Sequence, residues 1–138
     1  MPVRVRVRLR SLRNGSVVIV SALLNTGFTS DELDIHVPRG LAEKLGLWPP
    51  PGNASLEVLD TAGGEVLSYF IPDAVELVVV DENDVEVSRR ITCNVIVSLH
   101  EREVLLSDAV IEELGIEIIS PKTGLWRFRG ESRLRRGA

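Results

Sequence analysis

Asn25 ends an apolar run, Val17 to Leu24, and is followed by Thr26, Gly27, Phe28 and Thr29. A carboxamide donates and accepts hydrogen bonds, but it cannot hold and release a proton. Such a loop can orient a bound group while bringing no acid or base of its own. Read without further context, an Asn-x turn is also an ordinary structural loop. Other acidic residues lie within reach in sequence. Asp31 and Asp34 follow the loop, Asp60 precedes Thr61-Ala62-Gly63-Gly64, and Asp108 sits at a predicted helix start. The first three read as solvated loop or strand-edge carboxylates, and Asp108 as a first-turn residue favoured by the helix dipole. Cys93 lies in the apolar run Ile91 to Val97 and reads as a buried, inert thiol. His36 and His100 are far apart, and no Cys/His cluster has the spacing of metal ligands. No metal and no cofactor is therefore expected.

The 138 residues suffice for one domain with a real core and are too few for two ordinary ones. With 44% hydrophobic and 26% charged residues, the composition is that of a globular protein rather than a disordered one. No apolar run reaches membrane-span length, and the first ten residues lack a signal-peptide core. A cytoplasmic protein is expected. The chain has no Gln, one Met and one Cys, and Arg dominates its cations, a composition met in thermophile proteins.

Local patterns predict the elements. Val3 to Arg10 alternates apolar residues with Arg4, Arg6, Arg8 and Arg10, which predicts a strand with one core face and one solvated face. Asn14-Gly15 supplies a hairpin turn. Val17 to Leu24 returns as a strand apolar enough to be buried on both faces. A short strand at 33–37 leads to Pro38, which opens a helix ended by Gly46. Strands at 55–60 and 65–71 flank the Thr61-to-Gly64 turn, and a second pair, 75–80 and 85–97, flanks Asp81 to Asp84. Ser107 is a good N-cap for a helix ended by Gly115. Strands at 116–119 and 124–128 follow. Many short strands, tight turns and two short helices predict a mostly β, mostly antiparallel closed barrel over residues 1–128. The basic stretch 129–138 is expected to be a flexible tail.

Four segments, in order, resemble the small prokaryotic members of the retropepsin-like (clan AA) aspartic proteases. They are Leu23-Leu24-Asn25-Thr26-Gly27-Phe28-Thr29, Val37-Pro38 through Leu45-Gly46-Leu47, Thr61-Ala62-Gly63-Gly64, and Val104 to Asp108 with Leu114-Gly115-Ile116. The resemblance spans roughly residues 17–128 and departs from the family at two places. Asn25 stands where the family has its catalytic Asp, and Ser107 stands where it has a Gly. The resemblance implies an acid-protease-type barrel and an endopeptidase site built from two copies of the chain, since two carboxylates must share one proton and each chain supplies one loop. It implies that Thr26 and Gly27 support the site and that Phe28, Thr61, Ala62, Gly63 and Gly64 form the substrate-binding and flap region over an extended peptide. With Asn25, engineered or natural, the homodimer is expected to be inactive or nearly so. A non-catalytic peptide-binding or scaffold dimer is the alternative.

Val37 to Leu47, followed by a Pro-Gly loop and Leu56-Glu57-Val58, also resembles AbrB-type DNA-binding modules, and the Arg face of the first strand and the Arg-rich tail could contact phosphates. The net charge of −4 argues against nucleic acid.

Overall fold

The computed structural model describes residues 2–61 and 64–137. Ten strands and two helices follow in the order β1 (Arg4–Ser11), β2 (Val17–Leu24), β3 (Asp34–His36), α1 (Arg39–Lys44), β4 (Ser55–Thr61), β5 (Gly64–Val79), β6 (Ile91–Ser98), β7 (Val104–Leu106), α2 (Asp108–Leu114), β8 (Ile116–Ser120), β9 (Leu125–Phe128) and β10 (Arg135–Arg136). Six strands close a barrel in the order β1-β2-β7-β3-β6-β5, with β5 returning to pair β1. β4 adds to the outer end of β5 as an arm. A small β10-β9-β8 sheet stands beside the barrel. No helix among the described residues is long and apolar enough to cross a membrane.

The expected closed β-barrel with two short helices is therefore present, and its local signals act as read. The β1 alternation puts Val5, Val7 and Leu9 wholly inside and turns the four Arg outward. Gly15 takes a positive φ of 76° in the β1–β2 turn. Ser11 ties that turn to the rest of the molecule. Its buried hydroxyl donates to the Leu45 carbonyl at the end of α1 (2.6 Å) and accepts from the Arg13 and Asn14 amides. Ser107 caps α2, accepting from the Val110 amide, and Gly115 ends it in the left-handed region.

Two junctions of the barrel are parallel, β2–β7 and β3–β6. Both arise because β7 inserts between β2 and β3, which are consecutive in the chain. The loop from residue 25 to 33 must therefore pass over the end of β7.

Other expectations are corrected. β2 is not buried on both faces. Ala22 and Leu24 are buried and Val18 and Val20 pack partly on the core, but on the other face Val17 is half exposed and Ile19 and Leu23 are only partly buried. The two strands expected at 65–71 and 75–80 are one, β5, which runs through Pro72. A bulge between Ile71 and Val75 absorbs the proline, and the Asn94 side chain accepts the Asp73 amide there (2.9 Å). Residues 85–90 pair with the sheet only through a bridge between Val80 and Glu86. The C-terminal stretch does not fray over its described length. β10 pairs with β9, the Gly137 amide donates to the Gly124 carbonyl, and the Arg135 guanidinium lies over the rings of Trp126 and Phe128 while paired with Glu131.

Replacing Ser11 with Ala would strand the Leu45 carbonyl and two turn amides. We expect a loss of about 1–3 kcal/mol of unfolding free energy, read from the urea midpoint at unchanged slope.

Candidate active site

The Asn25 loop is fixed from both ends by backbone hydrogen bonds. The Asn25 amide donates to the Leu106 carbonyl (3.1 Å), and the Asp108 amide donates to the Phe28 carbonyl (2.9 Å). Between these anchors the chain turns, with the Phe28 amide bonded to the Asn25 carbonyl (3.0 Å). Asp108 adds a third tie, its Oδ1 accepting the Ser30 amide (2.9 Å). Its role is thus more than first-turn electrostatics: it fastens α2 to the loop.

The Asn25 side chain folds back over its own turn, with Oδ1 accepting the Gly27 amide (3.1 Å). Gly27 has no positive φ. Its lack of a side chain leaves room beside Oδ1, which a Cβ would meet at 3.4 Å. A carboxylate in place of this amide would accept the same N–H bond, which favours its ionised form.

Asn25, Gly27 and Phe28 line a cleft of about 650 Å³ together with Thr29, His36, Asp60, Ile96, Ser98, Glu101 and Leu105. Thr26 is exposed within the same loop. Asp60 comes from β4, so the arm forms one wall of the cleft. Thr61 pairs with Gly64 at the arm's tip, and Gly64 has φ of 108°, a backbone state that suits glycine. Ala62 and Gly63 lie outside the described residues. Asp34 is absent from the cleft lining. It accepts hydrogen bonds from Ser30 Oγ and from Asn94 Nδ2 (2.9 Å), bracing the loop's far end against β6.

His36, Ser98, Ile96, Glu101 and Leu105 were not among the expected site residues. His36 stands in a short apolar strand, where the sequence holds no signal for what it meets across the barrel. It is buried, with Nδ1 3.0 Å from the Glu103 carbonyl and Nε2 3.0 Å from Ser98 Oγ. The carbonyl can only accept, so Nδ1 carries the proton and Nε2 accepts from Ser98. Burial pushes the imidazole pKa down, outweighing the bond to the Glu103 carbonyl and the charge of Glu101. His36 is thus a neutral cross-link between β3, β6 and the segment before β7. Cys93 is fully buried, with its thiol pushed up to about 12, first by burial and then by the charge of Asp34. It is no nucleophile at neutral pH. Among the described residues no three His, Cys, Asp or Glu side chains converge as metal ligands.

The Arg face of β1, read as a solvated sheet surface, is internally neutralised. Arg4 pairs with Glu103, Arg6 with Asp84, Arg8 with Glu86 and Arg10 with Glu76, at 2.8, 2.7, 3.0 and 3.4 Å. No protein-family model matches the chain, and no curated protein matches it significantly.

The depressed pKa of His36 sets a sign for acid stability. The unfolded chain takes up this proton near pH 6.5 and the folded one only at lower pH, so stability present above pH 6.5 falls as pH drops from there. Thermal midpoints measured between pH 7.5 and 5.5 should fall for this chain, and the slope should flatten in His36→Gln.

Proposed function

We propose that this chain is an aspartic-endopeptidase-type barrel that works as a homodimer on extended peptides and that Asn25 renders inactive or nearly so. The observation that carries the reading is the position of the Asn25-Thr26-Gly27 turn. It sits at the end of a barrel strand, is pinned by the strand threaded beneath it, and lines a cleft walled on another side by a hairpin arm.

The chemistry explains why one residue is decisive. In peptide hydrolysis by a carboxyl pair, one carboxylate takes a proton from the attacking water while the other, protonated, gives one to the substrate carbonyl. Like charges about 3 Å apart cannot both ionise, so the pair shares one proton over a wide pH range. One loop per chain means that two chains must meet at the loops, with Thr26 of each bracing the junction. Two amides facing one another there can hydrogen-bond and sustain the dimer, but neither can accept the proton from water. An extended peptide would lie under the arm and pair with its strand edge, sending alternate side chains into the cleft. Because the loop keeps its geometry without its acid, peptide binding without cleavage is the activity expected of the Asn25 form.

A paired assay decides. This chain and its Asn25→Asp variant are incubated with an unfolded protein substrate from about pH 3 to pH 7, with the dimer checked by sedimentation. The Asp variant should cut, be stopped by a statine-type inhibitor, and exceed the Asn form by at least about 100- to 10,000-fold, the scale of general acid–base help. A folded, dimeric and silent Asp variant would remove the endopeptidase reading and leave a non-catalytic dimer.

A further inference from the structure

We infer that the cleft selects peptides carrying a lysine or arginine side chain, an inference that rests on the peptide-binding reading above. Two carboxylates line the cleft, Asp60 on the arm and Glu101 in the segment before β7, and among the described residues no Lys or Arg lines it. His36, the remaining titratable group in the lining, is neutral because it is buried and its proton is committed to the Glu103 carbonyl. The formal charge of the cleft lining is therefore that of its two carboxylates. Glu65, which pairs with Asp60 across the arm, places a third charge close by.

These carboxylates are treated differently from those on the barrel wall. Glu76, Asp84, Glu86 and Glu103 each meet an Arg within 4 Å. Among the described residues, Asp60, Glu65 and Glu101 meet none. Arg102, adjacent to Glu101 in sequence, does not line the cleft. Glu101 is nonetheless held in place, its Oε1 accepting the Arg102 and Glu103 amides at 3.0 and 3.2 Å.

The other surfaces of the cleft are apolar, from Phe28, Ile96 and Leu105. An apolar floor with an unneutralised acidic rim matches a side chain that has an aliphatic stem and a cationic head. The same rim repels acidic side chains, so it discriminates by repulsion as well as attraction. The space, about 650 Å³, accommodates such a side chain with neighbouring backbone. Among the described residues β4 pairs only with β5, so its outer edge can add the strand that delivers the side chain.

The test uses three fluorescein-labelled eight-residue Ser/Thr peptides, identical except for a central Lys, norleucine or Glu. Binding to the full chain is followed by anisotropy at low and at physiological salt. Norleucine keeps the stem and removes the charge. The Lys peptide should bind about tenfold more tightly than the norleucine peptide, the scale of two partly exposed carboxylates acting together, with the Glu peptide weakest. The preference should shrink with salt. It should vanish in the double variant Asp60→Asn, Glu101→Gln, and persist in Glu82→Gln, Glu113→Gln, which removes equal charge elsewhere. Equal binding of Lys and norleucine peptides would overturn the charge selection and leave peptide binding standing. Loss of the preference in both double variants would overturn its assignment to the cleft. Binding of none of the three would overturn this inference together with the peptide-binding reading.

Discussion

The structure depends on one threading constraint, the passage of β7 between β2 and β3. β7 has only three residues, and two of them pair on both sides in the barrel. Leu105 and Leu106 pair in parallel with Leu23 and Leu24 on one side and antiparallel with His36 and Ile35 on the other. The loop that carries Asn25 must cross over this strand, and its amide finds an acceptor in the Leu106 carbonyl because of that crossing. The next residue, Ser107, is fully buried, and its amide donates to the Asp34 carbonyl at 3.3 Å. The Ser107 hydroxyl finds an acceptor role there, taking the Val110 amide at the α2 N-terminus. The site's rigidity is therefore a property of barrel closure, since loosening β7 would open two junctions and free the loop at once.

The charge distribution follows the same division between frame and cleft. On the barrel wall, Arg8 and Arg90 converge on Glu86, and hydrogen bonds from Arg90 first and Arg8 second hold its carboxyl down to about 2. Such exposed pairs add little stability one by one. Their larger effect is to cover the outer face of β1 with matched charge, which discourages edge or face association there. Neutralisation also explains how a strand with four Arg can belong to a chain of net charge −4 without presenting a phosphate-binding surface. At the cleft, among the described residues, Asp60 and Glu101 have no such Arg partner.

Much of the frame was legible in the sequence because it is written in local signals. Strict alternation fixed the inward face of β1, Asn14-Gly15 its turn, and Ser107 and Gly115 the two ends of α2. The turn at Asn25 to Phe28 was legible for the same reason. What escaped was set by contacts distant in sequence. Pro72 reads as a strand end, yet the register shift beside it and the side chain of Asn94, more than twenty residues on, let β5 continue and serve both arm and barrel. The Arg-rich C-terminus reads as a tail, yet Trp126 and Phe128 supply ring faces and Glu131 a carboxylate that hold Arg135 down. His36 carried no local signal, because Ser98 and Glu103 reach it only through β6 and the segment before β7.

On the endopeptidase reading proposed above, Asn25 marks what such a fold keeps without its acid. A carboxylate and a carboxamide have nearly the same shape, and each can accept the Gly27 amide through one oxygen. The turn therefore does not need the charge to form, and the threading strand beneath does not sense which group is present. The difference appears only at the atom directed away from that bond. A carboxyl group offers there an oxygen that can take or give a proton, whereas an amide offers an NH₂ that can only donate. Placed beside a peptide carbonyl, such a donor holds the substrate, and with no proton acceptor for water nothing drives the next step. On that reading the Asn25 loop would separate the two things a hydrolytic site must do, positioning and proton transfer, and retain the first.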